Sequence, residues 1–523
     1  MKRAVIVGAA GVLMAGAAMA AEQRSDASLY RVTAGLSILG IPINLGENVN
    51  TQMDEYWPSL SLDGEKLVFT RLIKQRGVLP QEDFYMSESD ASGWGRATPI
   101  REINSLQNEG AQTISADGKL LFFTACNRPS GFGSCDIYFS RFVNGKWTVP
   151  VNAGSPLNTA FWEAQPSFSS DNRYLYFSSS RSGGKGKKDI WRIEFLGFSE
   201  MGKLKWGDPE NLGEKINTTG DEISPFIHPN NKSFYFASDF HTGMGGFDIF
   251  MSEITSDTMI SAPENMGYPI NTFRNEQGLV ISSDGTTGYF SSERNKVSGM
   301  DIYSFQLDES IRPDPVTYVK VKIVDKKTKE PMQGQIDLID LSKGNRSHRT
   351  ENTDMMGELL LCLPMGTDYA FNVSKEGYLF FSRSFQLAEK TVSDPFLLTL
   401  EMEPVEVGAE MNLYNIYFET DSFAILPESE PELYKLTEFL MKNPLLKVEI
   451  QGHTDNTGIP DKNLILSEQR AQSVVDYLID AGISESKMVA KGFGDSLPVA
   501  TNETVEGRAQ NRRTTIKITG NGN

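Results

Sequence analysis

One phrase recurs five times in the first 310 residues of this chain: a polar turn followed by an aromatic-rich strand. Its turn residues lie 54, 54, 59 and 54 residues apart and are Asp63, Asp117, Asp171, Asn230 and Asp284. So regular a period constrains the fold strongly, because each copy must adopt the same supersecondary unit and stack on its neighbours. The first half of the chain is therefore predicted to be a repeat architecture.

Two further marks keep the same period and define the content of each repeat. The first is an Asp followed by an apolar and an aromatic residue, at Asp83, Asp136, Asp189, Asp248 and Asp301. The second is an Asn that closes a strand, at Asn50, Asn104, Asn158, Asn217 and Asn271. Each repeat thus holds about four short strands separated by turns rich in Asp, Asn and Gly, which is typical of a propeller blade.

The number of blades depends on how the ends of the repeat region meet. The fifth repeat stops near Leu307 and lacks its last strand, whereas a spare strand of that type lies at 40–46. The two ends can share one blade and close the ring, which predicts a five-bladed β-propeller. Six blades remain an alternative, because 26–30 is similar to a degenerate copy of the Asp-Ile-Tyr strand.

The repeats resemble the WD40-like PD40 repeats of TolB-type and other envelope propellers over roughly residues 40–307, within a predicted propeller domain at 22–310. This resemblance implies a fold and not a function, because propellers host both enzymes and docking platforms. The sequence contains no Gly-x-Ser-x-Gly elbow, and His228 and His241 belong to no catalytic constellation. The repeated Asp residues are predicted to form turns.

A different pattern begins after the Pro-rich segment 312–315. Alternating strands such as 318–324, separated by polar turns, give about seven short strands in 316–402, which predicts a small β-sandwich. The order of strands and turns resembles the carboxypeptidase-regulatory-like, transthyretin-like domain. That resemblance implies a spacer or docking role.

From residue 412 onward, strands alternate with helices. The predicted strands are 413–418, 446–450, 489–493 and 513–518. The predicted helices are 431–443 and 463–481. The second helix is followed by Gly482, a residue favoured just after a helix C-terminus. The region 408–520 is therefore predicted to be an α+β sandwich with helices on one face of a sheet.

Four phrases in this region resemble the OmpA C-terminal family. They are YFETD at 417–421, GHTDNTG at 452–458, LSEQRA at 466–471 and GRAQNRR at 507–513. The resemblance implies non-covalent binding of the peptide stem of peptidoglycan, with Asp455 and Arg470 at the family's acid and arginine positions. It also implies supporting roles for Thr420, Asp421, Thr457, Asn463 and Arg512.

The chemistry of Asp455 and Arg470 suits this ligand. The free end of meso-diaminopimelate carries an ammonium and a carboxylate on one carbon, so a receptor needs one acid and one guanidinium close together. Asp455 can accept from the ammonium. Arg470 can hold the carboxylate through two parallel hydrogen bonds, which a lysine cannot do as well. The alternative is that the two residues form an internal salt bridge between a loop and a helix.

Export is predicted from the first residues. A basic start, an apolar run and an A-x-A site at 18–20 predict a secretory signal peptide at 1–21, with an uncleaved anchor as the alternative. An oxidising compartment would permit a disulfide between Cys126 and Cys135, the alternative being two unpaired thiols. Cys362 lies in an apolar run and is predicted to be core. No later run of 18 apolar residues exists, which argues against a membrane-spanning helix.

The overall charge narrows the class of partner. A formal net charge of -18 repels phosphate backbones, so no nucleic-acid partner is expected. Four His without paired spacing offer no metal site, and no cofactor is expected.

Together these patterns favour a non-enzymatic tether in the periplasm, associated with the outer membrane. The tether would bind the peptidoglycan stem peptide and dock envelope or outer-membrane proteins on its propeller. The combination of modules resembles OmpA-family envelope proteins of the Bacteroidetes type, including PorE-like components linked to type IX secretion. The alternative function is a propeller hydrolase that the C-terminal domain localises to the wall.

Overall fold

The computed structural model describes residues 40–74, 79–143, 145–256, 259–295, 299–340, 347–354, 356–366, 368–386 and 396–521. The predicted signal peptide and the possible strand at 26–30 lie outside the described residues. The chain divides into two compact units: the first holds the described residues up to Tyr318 together with 361–364, and the second holds the others. No helix in the described ranges is long and apolar enough to cross a membrane.

The described residues of the first unit form mainly five antiparallel sheets, one for each repeat. The strands are β1 (Ile43–Asn44), β2 (Asp54–Leu60), β3 (Lys66–Ile73), β4 (Gln81–Asp90), β5 (Gly93–Trp94), β6 (Thr98–Pro99), β7 (Glu109–Ile114), β8 (Leu120–Cys126), β9 (Cys135–Val143), β10 (Lys146–Trp147), β11 (Val151–Asn152), β12 (Glu163–Phe168), β13 (Tyr174–Ser179), β14 (Asp189–Phe198), β15 (Leu204–Trp206), β16 (Glu210–Asn211), β17 (Glu222–Ile227), β18 (Ser233–Ser238), β19 (Asp248–Ser256), β20 (Met259–Ile260), β21 (Glu264–Asn265), β22 (Glu276–Ile281), β23 (Thr287–Ser292) and β24 (Asp301–Gln306). Strands β2–β6, β7–β11, β12–β16 and β17–β21 form the first four sheets. Strands β22–β24 form the fifth sheet together with β1, which pairs antiparallel with β24.

The aromatic-rich strand of each repeat is the second long strand of its sheet and supplies the cores between sheets. Phe122 in the second sheet lies 5.1 Å from Phe168 in the third, measured between ring centroids. Tyr176 in the third sheet lies 5.2 Å from Phe234 in the fourth. Truncating a buried Phe of this kind to Ala typically costs 3–5 kcal/mol, so these contacts dominate the packing of neighbouring sheets.

The periodic Asn and Asp residues hold the turns between strands. Asn158 donates to the carbonyl oxygen of Ile137 and accepts from its amide nitrogen, both at 2.8 Å. Asp248 accepts from the backbone nitrogens of Met244 at 2.7 Å and Gly245 at 3.0 Å. These carboxylates and amides satisfy backbone groups that no strand pairs, which is the turn-forming role predicted for the repeated Asp residues.

Equivalent hydrogen bonds join successive sheets and also join the last sheet to the first. The amide of Ala111 donates to Thr70 Oγ1 at 3.1 Å, between the second and first sheets. The amide of Trp57, at the corresponding place in the first sheet, donates to Ser291 Oγ of the fifth at 3.0 Å. Asn50 likewise accepts from the amide of Ile302 at 2.9 Å. The two ends of the repeat region therefore meet through the same contacts that join consecutive repeats.

Two of the three cysteines form a disulfide, and the third is buried. Cys126 and Cys135 lie opposite each other on β8 and β9 and form a disulfide. Cys362 is buried.

The described residues of 316–402 form seven strands in two sheets. The strands are β25 (Val316–Asp325), β26 (Gln335–Asp340), β27 (Ser347–Asn352), β28 (Glu358–Pro364), β29 (Asp368–Ser374), β30 (Phe381–Gln386) and β31 (Phe396–Met402). One sheet has the order β28-β25-β31 and the other β27-β26-β29-β30. Apolar side chains such as Ile336, Phe371 and Val373 alternate with polar ones along the second sheet, which is what a sheet with two different faces requires.

The C-terminal region contains one mixed sheet and three helices among its described residues. Its elements are β32 (Glu410–Leu413), α1 (Glu430–Lys442), β33 (Lys447–Gly452), α2 (Pro460–Asp480), β34 (Met488–Gly492), α3 (Val505–Asn511) and β35 (Thr514–Gly520). The sheet order is β32-β35-β33-β34, with β33 and β34 parallel. The core lies between this sheet and the helices and includes Leu436, Ile450 and Val474.

Two predictions for this region were wrong in detail. The strand predicted at 413–418 is displaced to β32, and α3 was not predicted. After Leu413 the backbone bonds locally: the amide of Tyr417 donates to Ser429 Oγ at 2.8 Å, and its carbonyl oxygen accepts from the amide of Leu426 at 2.9 Å. The alternating side chains of 413–418 therefore mark a folded loop and not a ladder strand.

Candidate ligand-binding cleft

A cleft of about 1110 Å³ opens in the second unit, beside the ends of β33 and β35 and the side of α2. The residues that the sequence assigned to diaminopimelate binding are brought together here. All seven line the cleft: Asp455, Arg470, Thr420, Asp421, Thr457, Asn463 and Arg512. They come from four separate segments of the chain, so only the tertiary fold makes them neighbours.

Gly452 lets the strand that leads to Asp455 approach the helix that carries Arg470. A Cβ built on Gly452 would overlap the carbonyl oxygen of Ser467 and lie 2.8 Å from its carbonyl carbon. Gly492, its partner on β34, also lies too close to α2 for a side chain. A Cβ there would lie 2.5 Å from the amide nitrogen of Glu468. Two glycines in register thus allow backbone contact between the sheet and α2, which places the loop after β33 beside the cleft.

Asp455 is a buried carboxylate held by two donors. Its Oδ1 accepts from the backbone nitrogen of Thr457 at 2.8 Å, and its Oδ2 lies 2.6 Å from Arg512 Nη1. Burial by itself would raise the pKa of Asp455. The hydrogen bonds from Arg512 and Thr457 outweigh burial and hold the pKa below its usual value. The carboxylate is therefore ionised at neutral pH and still has lone pairs for a further donor.

Arg470 is positioned through one edge of its guanidinium. Nε donates to the carbonyl oxygen of Ser422 at 2.9 Å, and Cζ lies 5.1 Å from the centre of the Phe418 ring. Burial lowers the pKa of Arg470, and the charge of Asp421 opposes that shift, so the group stays a cation. Within the described ranges Arg470 forms no ion pair. Asp455 pairs with Arg512, so the direct Asp455–Arg470 salt bridge considered as an alternative is not formed.

The remaining predicted residues shape the loops on either side. Asn463 Nδ2 donates to the carbonyl oxygens of Asp455 at 3.3 Å and Thr457 at 3.1 Å, which ties the loop to the first turns of α2. Asp421 has a φ of 55°, in the left-handed region that aspartate tolerates better than most residues, and both it and Thr420 are exposed at the cleft mouth. The two loops therefore present one acid each, and the charges of both acids act on the Arg470 guanidinium.

His453 lies at the base of the cleft as a neutral ring. Burial, followed by the charge of Arg513, lowers the pKa of His453 to about 4. The ring stacks on Phe493 with centroids 5.3 Å apart. At neutral pH the imidazole is uncharged, so the positive charge of the cleft comes from its arginines, Arg470 and Arg512 among them.

We expect the His453 imidazole to titrate near pH 4 and not near 6.5. In the pH window between these values the unfolded chain binds the extra proton, so the contribution of His453 to the stability of the second unit is full above pH 6.5 and is lost as pH drops toward 4. The imidazole proton shifts of the chain, followed by NMR against pH, measure this directly. A His453 midpoint close to 6.5 would contradict the burial of the ring.

Several lining residues were not predicted. Arg508 and Arg513 flank Arg512 in a phrase that the sequence analysis had singled out, so a run of three Arg in six residues was the available signal. Ala370 and Asn372 come from β29 of the preceding module, and Asn415 and Glu432 lie outside the family phrases. No sequence pattern links these four positions, because they meet only where the β29 sheet packs against α1.

The comparisons with known proteins bear on this region. Residues 417–512 match the model of the OmpA family. The C-terminal part of the chain is an OmpA-like domain. The OmpA-like domain is similar to the probable lipoprotein YiaD of Escherichia coli K12, at 38% identity over 104 residues, and to the peptidoglycan-binding protein ArfA of Mycobacterium bovis, at 39% over 103 residues. Each alignment covers 20% of this chain.

The matches are partial on both sides. The aligned segment spans about half of YiaD, 48%, and 32% of ArfA. Among solved structures, the peptidoglycan-associated lipoprotein from Burkholderia pseudomallei is 30% identical, covering 20% of this chain and 86% of that chain with a TM-score of 0.18. The cell wall anchor of the T6SS from Pseudomonas aeruginosa is 33% identical, covering 21% and 79%, with a TM-score of 0.20. Each match thus concerns about a fifth of this chain.

Proposed function

We propose that the chain binds the stem peptide of peptidoglycan non-covalently through its OmpA-like cleft. The observation that carries this proposal is that one cleft contains both an ionised, buried Asp455 and an Arg470 whose guanidinium is held through Nε and forms no ion pair with any described residue. An ammonium would be accepted by Asp455, and a carboxylate would meet the open edge of Arg470. An amino-acid end such as that of diaminopimelate presents both groups at once.

The remaining cleft residues take supporting roles in this proposal. Arg512 keeps Asp455 ionised, and its half-exposed side chain supplies a second cation close to the ligand carboxylate. Asn463 and Thr457 fix the loop that carries Asp455. Thr420 and Asp421 border the mouth of the cleft. The OmpA family match and the similarity to ArfA, a peptidoglycan-binding protein, support the same ligand.

In the whole chain we propose a three-part, non-enzymatic tether. The segments are a propeller at 22–310, a carboxypeptidase-regulatory-like sandwich at 316–402 and the OmpA-like domain at 408–520, following export by a signal peptide at 1–21. The five sheets of the first unit and the contacts between the last and the first support a five-bladed, PD40-type ring. The ring would dock envelope or outer-membrane proteins, while the cleft fixes the assembly to the wall on the periplasmic side. A link to type IX secretion belongs to this proposal.

The test is cosedimentation of the full chain with purified peptidoglycan. We expect the chain to pellet with sacculi whose stems contain diaminopimelate, and free meso-diaminopimelate to release it in competition. Sacculi with lysine in place of diaminopimelate lack the second amino-acid end and serve as the matched control. Equal pelleting with both kinds of sacculi, or no release by the free amino acid, would overturn the assignment of the cleft.

A further inference from the structure

The sheet β27-β26-β29-β30 of the preceding module packs against the OmpA-like domain. Four polar residues lie opposite one another across β27, β26, β29 and β30; we call them the polar row: Thr350, Asp337, Asn372 and Ser382. Directly opposed residues in antiparallel strands project from the same face of a sheet. The polar row therefore shares one face, and that face meets helix α1.

The two members of the row on either side of Asn372, which are Asp337 and Ser382, are joined to α1 by side-chain contacts. Asp337 Oδ2 lies 2.6 Å from Lys435 Nζ, and its Oδ1 accepts from Thr350 Oγ1 at 2.8 Å. On the other side of Asn372, Ser382 donates to Glu432 Oε2, which also accepts from Asn415 Nδ2 at 3.0 Å. Phe380 packs edge-on against Phe439 of α1 with ring centroids 5.8 Å apart. This sheet is therefore a wall of the second unit and not a separate spacer.

The centre of this contact holds two acceptors without donors. Asn372, the member of the row between Asp337 and Ser382, is 3% exposed, and its Oδ1 has no hydrogen-bond partner among the described residues. Glu432 is 1% exposed, and its Oε1 also has no hydrogen-bond partner among the described residues. A buried acceptor left unpaired is costly because it has lost its hydrogen bonds to water, so each of these atoms gains from a donor supplied by a ligand.

Both residues line the same cleft as Asp455 and Arg470. The cleft volume of about 1110 Å³ exceeds the 300–1,000 Å³ typical of sites for drug-sized ligands, so it has room for more than one amino-acid end. Ala370 and Asn372 of β29, Glu432 of α1, and Asn415, which donates to Glu432, line one part of this cleft, which we call the inner part. In the inner part, Asn372 Oδ1 and Glu432 Oε1 are acceptors that lack a donor among the described residues.

We infer that the inner part of the cleft, at Asn372 and Glu432, is a second subsite that receives amide N–H groups of the stem peptide. The inference rests on the proposed function, because it places the amino-acid end of diaminopimelate at Asp455 and Arg470. Diaminopimelate is joined to the rest of its stem through amide bonds at its other end, so a ligand anchored there carries N–H donors into the cleft. Asn372 then makes the preceding module part of the receptor.

The protonation of Glu432 is compatible with this role. Burial raises the pKa of Glu432 to about 7, although the hydrogen bonds from Ser382 and Asn415 oppose the shift. The nearby charges are themselves paired, because Lys435 of α1 forms ion pairs with Asp337 at 2.6 Å and Glu438 at 3.2 Å. A buried carboxyl whose pKa is raised carries less charge at neutral pH than a free glutamate, and its carbonyl oxygen can still accept from a neutral amide N–H.

The test compares two probes on the full chain by calorimetric titration: free meso-diaminopimelate and the sugar-free stem tetrapeptide that contains it. For Asn372→Ala and Glu432→Gln we expect tetrapeptide affinity to fall roughly 3- to 10-fold, the range for one hydrogen bond, with diaminopimelate affinity unchanged. Asp337→Asn is the matched control, because it weakens the same sheet-to-helix contact without lining the cleft, and it should leave both affinities unchanged.

The outcomes separate this inference from the proposed function. If the unmodified chain binds both probes and neither variant weakens the tetrapeptide, the second subsite is wrong and the anchoring pair stands. If Asp337→Asn weakens the tetrapeptide as much as Asn372→Ala does, the row is structural and the subsite is again wrong. If the unmodified chain binds neither probe, the proposed function itself fails.

Discussion

Asp455→Ala should remove binding of the full chain to diaminopimelate-type peptidoglycan. The side chain of Asp455 is only 9% exposed, so water would replace little of the lost interaction with a ligand ammonium. Truncating one partner of a buried, hydrogen-bonded charge pair costs about 2–5 kcal/mol, which corresponds to at least a roughly 30-fold loss of affinity. Cosedimentation with sacculi over a range of chain concentrations measures this loss.

Two further variants make the result specific to the cleft. Asp461→Ala removes an exposed acid from the first turn of α2, outside the cleft, and should bind like the unmodified chain. Arg470→Lys keeps a charge but loses the two-pronged geometry, and should weaken binding by about tenfold or more. Retention of affinity within threefold in Asp455→Ala, with the fold intact by circular dichroism, would mean that the ligand ammonium binds elsewhere.

Gly452→Ala should unfold the second unit at a lower temperature and also abolish binding. The added Cβ overlaps the carbonyl oxygen of Ser467, a backbone atom inside α2, so strand and helix must separate. Overpacking of this kind costs about 3 kcal/mol. For a unit of this size that free energy lowers Tm by about 6–12 °C. Differential scanning calorimetry of the full chain, with meso-diaminopimelate added to mark the ligand-stabilised transition, gives the shift.

Gly520→Ala is the matched control for this prediction. Gly520 also ends a strand of the same sheet, but a Cβ there would lie 3.5 Å from the Lys447 side chain, an ordinary contact. Its Tm should therefore stay within about 2 °C of the unmodified chain. An unchanged transition in Gly452→Ala would show that β33 and α2 do not touch as closely as the backbone positions indicate.

Much of the architecture followed from local patterns. The periodic turn residues predicted five similar sheets, because each Asp and Asn forms hydrogen bonds to backbone groups within or next to its own repeat. The helix predicted at 431–443 agrees with α1, and that at 463–481 with α2, since apolar spacing marks the buried face of a helix directly. The strand predicted at 413–418 was wrong, because alternating apolar and polar side chains do not show whether a neighbouring strand is present to pair with.

The sequence by itself determined that three of the seven predicted cleft residues lie close together. Asp455, Thr457 and Asn463 sit within nine residues that join one strand to one helix, so short-range geometry brings them together. Only the tertiary structure decided that Asp455 pairs with Arg512, that Arg470 has no ion pair with any described residue, and that Asn372 lies opposite α1 in the same cleft. Those contacts join segments 57 or more residues apart, and packing between modules selects them without leaving any periodic mark in the sequence.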